Sequence, residues 1–134
     1  MRNRLADPDA GSLPGEGGAY ALYFELSEPV ALPIARLNNP VLDPGVYVYA
    51  GSAYGPGGIR ARVTRHLRRD KRPHWHIDHL SVRVGCRRVD AFPGGKECDL
   101  VADFLEAGGY VPVPGFGSSD CKTCVAHLVR LAGE

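Results

Sequence analysis

The chain has no long hydrophobic run: its apolar stretches are short and broken by Glu, Arg or Pro, well under the roughly 20 consecutive residues of a membrane-spanning helix. A membrane partner is therefore not expected. Residues 1–17 are rich in Gly, Pro and Asp and contain no apolar h-region, so they read as a flexible leader and not as a secretory signal. The expected location is the cytoplasm. Cysteine is scarce, and Cys86, Cys98, Cys121 and Cys124 are too few for a disulfide scaffold in a chain able to build its own core, which leaves reduced thiols or a metal site. Internal repeats are absent, and no low-complexity tract occurs beyond the leader. The glycine-rich stretch AGSAYGPGG lacks the Gly-Lys-Ser/Thr ending of a P-loop, which argues against a nucleotidase or kinase. Its backbone N–H groups, lying before a helix, could still receive a phosphate.

What is present fits one soluble domain over residues 18–134, since the 134-residue chain is 44% hydrophobic and 23% charged. The net charge of +1 conceals a segregation. Residues 58–96 carry eleven Lys or Arg against three Asp or Glu, whereas the preceding segment has three against six and the following one two against six. Such a basic middle points to an anionic partner, with nucleic acid the first candidate and DNA ahead of RNA. Nothing in the sequence fixes an oligomeric state.

The hydrophobic pattern predicts a strand over Ala19–Leu26, a second near a sheet edge over Val30–Leu37, where Pro33 bars a central position, and a turn at NNPVLDPG. Gly45–Gly51 alternates clearly, with Val46, Val48 and Ala50 on one face and Tyr47 and Tyr49 on the other. Ile59, Val63 and Leu67 recur every four residues, predicting a helix from Ile59 to about Arg69. At about 100° per residue, Arg62, His66 and Arg69 share a stripe beside the apolar face, and Arg65 and Arg68 point further into solvent. A short helix over His74–Leu80, a strand over Ser81–Phe92, a helix over Glu97–Ala107 ending at Gly108-Gly109, and a last strand over Val125–Leu131 complete the reading.

The candidate constellation is Gly18-Ala19-Tyr20 opening one strand, Tyr49-Ala50-Gly51 closing another, Arg62 and His66 four residues apart on a helix, and Glu97 opening a later helix. In order and element type it resembles the GIY-YIG nuclease superfamily. The likeness is nearest to a small prokaryotic branch known as a domain of unknown function, marked by YAGSAYGPGG, by the HWHID run and by GFGSSDC, and it covers nearly everything from Gly18 to Leu131. The resemblance implies an α+β fold, a small, mainly antiparallel sheet flanked by helices, and divalent-metal-dependent cleavage of phosphodiester bonds in DNA or RNA, in repair or processing. It implies catalytic roles for Tyr20, Tyr49, Arg62, His66 and Glu97, with Glu97 holding Mg²⁺ or Mn²⁺. The turn SAYGPGG is longer than the superfamily pattern, so Arg60 competes with Arg62 for the arginine position.

The chemistry asks for these residue types. Charge that builds on the phosphoryl oxygens calls for an arginine and a divalent ion, and one carboxylate suffices for Mg²⁺ when substrate phosphate and water complete the shell. Tyr49 or Tyr20 would activate the attacking water, provided that neighbouring cations lower a phenol pKa of about 10. Arg65, Arg68, Arg69, Lys71 and Arg72 form the expected nucleic-acid-binding rim. Plainer readings stand beside each of these. Strand tyrosines usually pack and hydrogen-bond within sheets, a basic helix is often only a solvated face, and Glu97 suits the first turn of any helix. His74, His76, Cys98, Cys121, Cys124 and His127 form a second group, whose Cys-x2-Cys-x2-His arrangement could hold a structural Zn²⁺. The alternatives to a nuclease are a non-catalytic nucleic-acid-binding module of the same fold and a zinc-stabilised interaction domain.

Overall fold

A computed structural model describes residues 13–117 and 126–132. Two long alternating strands make its centre: β1 (Gly18–Leu26) and β4 (Gly45–Ala53) pair antiparallel from Gly18↔Ala53 to Leu26↔Gly45. The outer strands are β5 (Arg88–Pro93), beside β1, and β6 (Leu128–Arg130), beside β4, giving the order β5-β1-β4-β6 with every pairing antiparallel. Three helices flank the sheet: α1 (Gly58–Leu67), α2 (His76–Ser81) and α3 (Glu97–Glu106). The fold is α+β with an antiparallel sheet, as expected. No described helix is long and apolar enough to cross a membrane.

The two-residue period of β1 and β4 sorts large from small side chains. Tyr20, Leu22, Phe24, Tyr47 and Tyr49 fall in one core with Ile59 and Val63 of α1 and Ile77 and Leu80 of α2. Ala19, Ala21, Val48 and Ala50 face the other way, and their small size lets α3 settle close through Leu100 and Val101. A fully buried Leu or Phe contributes roughly 1.5–3 kcal/mol, so most of the hydrophobic stabilisation lies on the α1–α2 face.

Several elements differ from the sequence expectation. The expected strand over Val30–Leu37 shrinks to β2 (Val30–Ala31), which pairs only with β3 (Val41–Leu42) in a separate ribbon, and Ala35–Leu37 forms a 3-10 turn. Pro33 has no N–H to continue a ladder, and Asn38 and Asn39 take left-handed conformations that reverse the chain. The expected strand over Ser81–Phe92 starts only at Arg88, because Val82 and Val84 fold back onto the carbonyls of Asp78 and Leu80 at the end of α2. Of the expected last strand, Leu128–Arg130 is observed and Val125 lies outside the described residues.

The end of the expected leader belongs to the domain. Glu16 O and Pro14 O accept the N–H groups of Ile59 and Arg60, and Arg60 Nε donates to Leu13 O. These carbonyls cap α1, which has no side-chain cap. Within the glycine-rich loop itself, Gly58 N–H is taken by Gly55 O. Gly58, at φ +60°, has no room for a side chain: a Cβ there would lie 2.3 Å from the carbonyl oxygens of Gly15 and Glu16. Residues 1–12 lie outside the described region.

Candidate active site

The register of β1 against β4 places Tyr20 opposite Gly51 and Leu22 opposite Tyr49. Tyr20 lies across Gly51 so closely that a Cβ on residue 51 would stand 2.2 Å from its Cζ and 2.3 Å from its hydroxyl. Glycine at the end of YAG is therefore a steric requirement of the phenol's position. Tyr20 and Tyr49 point to the α1 side of the sheet, and the four-residue step on α1 sends Arg62 and His66 toward them. After β5, the turn at Gly94-Gly95 brings Glu97, at the start of α3, round the end of the sheet.

These elements enclose a cleft of about 390 Å³. The five expected catalytic residues, Tyr20, Tyr49, Arg62, His66 and Glu97, all line it, together with Gly51, Ser52, Trp75, Cys98, Gly117 and His127. Arg60 does not. It is exposed and tied to Leu13 O, so the choice left open by the long turn falls to Arg62. Arg62 is half-buried, donates to Ser52 O at 3.1 Å and lies 4.8 Å over the Trp75 ring. An arginine held from two sides needs little reorganisation to meet a phosphate.

His66 joins the cleft to a buried polar network. Its Nε2 shares a 2.7 Å hydrogen bond with the Tyr20 hydroxyl, and its ring packs against Tyr20, Tyr49 and Trp75. Behind it lies Asp78, whose side chain is wholly buried. Asp78 Oδ2 accepts from His74 N at 2.7 Å, Trp75 N at 2.9 Å and Arg65 Nη2 at 3.0 Å, and Oδ1 accepts from Arg65 Nη1 at 3.1 Å. Burial alone would raise this carboxyl. The nearby His66 ring and the hydrogen bonds from Arg65 and the backbone outweigh it and hold Asp78 well below the usual carboxylate range.

The same burial acts on the other groups. It pushes the Tyr20 phenol upward, helped by Tyr49 and opposed by Arg62, and pushes Tyr49 upward together with the charge of Asp78. The expectation that nearby cations lower a phenol is thus corrected for the protein alone: Arg62 does pull both phenols down, but desolvation is the larger effect. Burial also lowers His66 despite the upward pull of Asp78, so the imidazole is neutral near pH 7.

The expected nucleic-acid rim divides. Arg65, expected in solvent, instead clamps Asp78 and lies 4.4 Å over Trp75, because α2 packs against that side of α1 and offers a buried carboxylate. Arg69 reaches past α2 to Val82 O and Arg83 O. Lys71 turns back to His66 O and Arg68 O and closes the end of α1, with its pKa lowered to about 8 chiefly by burial. Arg68 and Arg72 are exposed, and the Arg68 side chain meets the exposed Asp70 at 3.4 Å.

Glu97 is the carboxylate among the described residues of the cleft wall. No described group of three His, Cys, Asp or Glu is placed to cage a metal. A single carboxylate suits Mg²⁺ or Mn²⁺, which take most of their ligands from water and substrate oxygens. Of the expected zinc group, Cys121 and Cys124 lie outside the described residues. His76 Nδ1 accepts from Gly117 N at 2.8 Å, His74 meets the Trp75 ring edge-on, and Cys98 and His127 line the cleft.

Two residues that matter here were missed in the sequence, Asp78 and Trp75. The available signal for Asp78 was an acid lying between the core positions Ile77 and Leu80 and at the third position of a short helix, where a carboxylate reaches back to free N–H groups. A family model, Domain of unknown function DUF123, matches residues 19–134. No curated protein and no solved structure matches the chain.

Proposed function

Because the chain belongs to the DUF123 family, a domain of unknown function, we propose its activity from the cleft itself: a divalent-metal-dependent nuclease of GIY-YIG type that hydrolyses phosphodiester bonds in DNA or RNA. The observation that carries this reading is the convergence of Tyr20, Tyr49, Arg62, His66 and Glu97 on one cleft from four separate elements. Packing alone does not require two phenols, a guanidinium, an imidazole and a carboxylate to share a wall. Phosphodiester hydrolysis uses each of them.

Arg62, braced by Ser52 O and Trp75, binds the scissile phosphate and meets the charge that grows on its oxygens. Glu97 would hold Mg²⁺ or Mn²⁺, which supplies further positive charge to the same oxygens. Tyr20 and Tyr49 flank the position of the attacking water, and His66 is the neutral base within reach of Tyr20. The exposed Arg68 and Arg72 extend the basic surface along the nucleic-acid backbone, a contact that carries no sequence information and weakens with salt.

The test is incubation of the purified protein with branched, nicked and single-stranded substrates in Mg²⁺ or Mn²⁺, beside Glu97→Gln. Metal-dependent cutting that the variant loses is the expected result. The second reading, a nucleic-acid-binding module without turnover, is favoured by the upward shift of both phenols. Salt-dependent binding with no cutting of any substrate would select it and overturn the nuclease.

A further inference from the structure

We propose that Asp78 is a positioning residue for the cleft: it fixes His66 as the Nδ1–H tautomer, which leaves Nε2 as the lone pair that accepts the Tyr20 hydroxyl proton. The catalytic consequence rests on the nuclease reading above, whereas the tautomer does not depend on it.

The geometry is asymmetric in a way that sets the proton. Asp78 Oδ2 is saturated by three N–H donors, but Oδ1 accepts only from Arg65 and faces His66 Nδ1 at 3.8 Å. That nitrogen is buried and has no hydrogen-bond partner. At 3.8 Å the pairing is electrostatic, beyond hydrogen-bond length. An N–H there is attracted to the carboxylate, and a lone pair is repelled by it. Contacts with Tyr20, Tyr49 and Trp75 keep the ring from turning over, so a proton on Nδ1 leaves Nε2 bare, 2.7 Å from the Tyr20 oxygen. Tyr20 O–H is then the donor, and its oxygen lone pairs remain for a water in the cleft.

This arrangement removes the need for a phenolate. The attacking water passes a proton to the Tyr20 oxygen while the original Tyr20 proton moves to His66 Nε2. The hydroxide oxygen bonds to phosphorus, and the bond from phosphorus to the leaving oxygen breaks. Solvent protonates the leaving oxygen, and His66 later returns its proton through Tyr20 to solvent. During the step the imidazolium stands against Asp78, whose charge offsets it. Asp78 touches neither water nor phosphate and acts only through His66.

The experiment is long-range ¹H–¹⁵N correlation of the imidazoles in labelled protein, with His66 assigned by comparison with His66→Gln. The expected wild-type spectrum shows a protonated Nδ1 and a bare Nε2; the reverse pattern overturns the proposal even if Asp78→Asn does not fold. Asp78→Asn supplies the second arm. Because three donors at Oδ2 outweigh the single Arg65 Nη1 donor at Oδ1, the amide NH₂ falls at the Oδ1 position, where it gives up that Arg65 bond and donates toward His66 Nδ1. The tautomer should switch to Nε2–H, and kcat should fall about 100- to 10,000-fold with little change in KM. An Asn variant that keeps both the tautomer and kcat refutes the role. A wild type with the expected tautomer but no cleavage supports the positioning and sinks only the nuclease reading; cleavage with the reversed tautomer sinks the positioning alone.

Discussion

Replacing Gly51 by Ala tests the central packing of the cleft. The new methyl would sit 2.2 Å from Tyr20 Cζ and 2.6 Å from Cε1, far inside carbon contact distance, and Tyr20 is only 1% exposed, so the ring has no open route away. Overpacking of this kind costs about 1–3 kcal/mol. With an unfolding entropy of about 2.1 cal/mol/K per residue, each kcal/mol lowers the Tm of this 134-residue chain by about 3.6 °C, so Gly51→Ala should melt about 4–11 °C below wild type. Residue 51 is an ordinary strand position without positive φ, so the cost should come from the ring and not from the backbone. In a Tyr20→Ala background the same substitution should therefore be neutral, or stabilising by about 0.4–1 kcal/mol through the unfolded chain. Urea or thermal melts of the two single variants and the double variant close the cycle and give a coupling of at least about 1 kcal/mol. Equal destabilisation by Gly51→Ala in both backgrounds would refute the idea that this glycine exists to seat the phenol.

Other outcomes follow from the same structure. Arg65→Ala removes the bidentate partner of a buried carboxylate and should lower stability by about 2 kcal/mol, whereas the exposed Arg72→Ala should change it by less than about 0.5; thermal melts that fail to separate them contradict the brace assigned to Arg65. If Arg72 contacts backbone phosphate, its removal should flatten the slope of log affinity against log salt by about 0.9 on duplex DNA, and an unchanged slope removes it from the interface. Asp78 has a depressed folded pKa, so its contribution is fully present above the unfolded carboxyl pKa of about 3.9 and is lost as pH falls toward the folded value, with Arg65, His66 and Lys71 the charged or titrating groups about it. The stability gap between wild type and Asp78→Asn should hold from pH 7 to about 4 and narrow below it; a gap constant down to pH 2 in urea titrations would contradict this.

The period of two in β1 and β4 and of four in α1 was legible directly, because alternation and helical spacing are local and a buried face repeats them. Spacing alone set Arg62 and His66 on one helical face, whereas the full candidate five came from the resemblance of their order and element types to the GIY-YIG pattern. Tyr20, Tyr49, Arg62, His66 and Glu97 each sit at the start, end or fixed step of an element whose limits the sequence marks with glycines or spacing. The edge strand at Val30–Leu37 was not legible, since a short ribbon and a strand look alike until pairing partners are known. Nor were the fates of the basic residues. A helix wheel points Arg65 into solvent and sets Arg69 beside the apolar face, but cannot show that α2 arrives with a buried carboxylate for the first and free carbonyls for the second.

Thus the amino-acid order by itself determined the two central strands and the helices α1 and α3, the alternation that separates phenols from alanines, and the chemical kinds of residue available to the cleft. Only the tertiary structure decided that Arg62 and not Arg60 enters it, that Arg65 braces Asp78 instead of meeting solvent, and that His66 stands between a phenol and a buried carboxylate. The physical reason is range. Backbone preference and side-chain periodicity act over a few residues, whereas the 46 positions between Tyr20 and His66 are brought to one hydrogen bond by sheet register and helix packing.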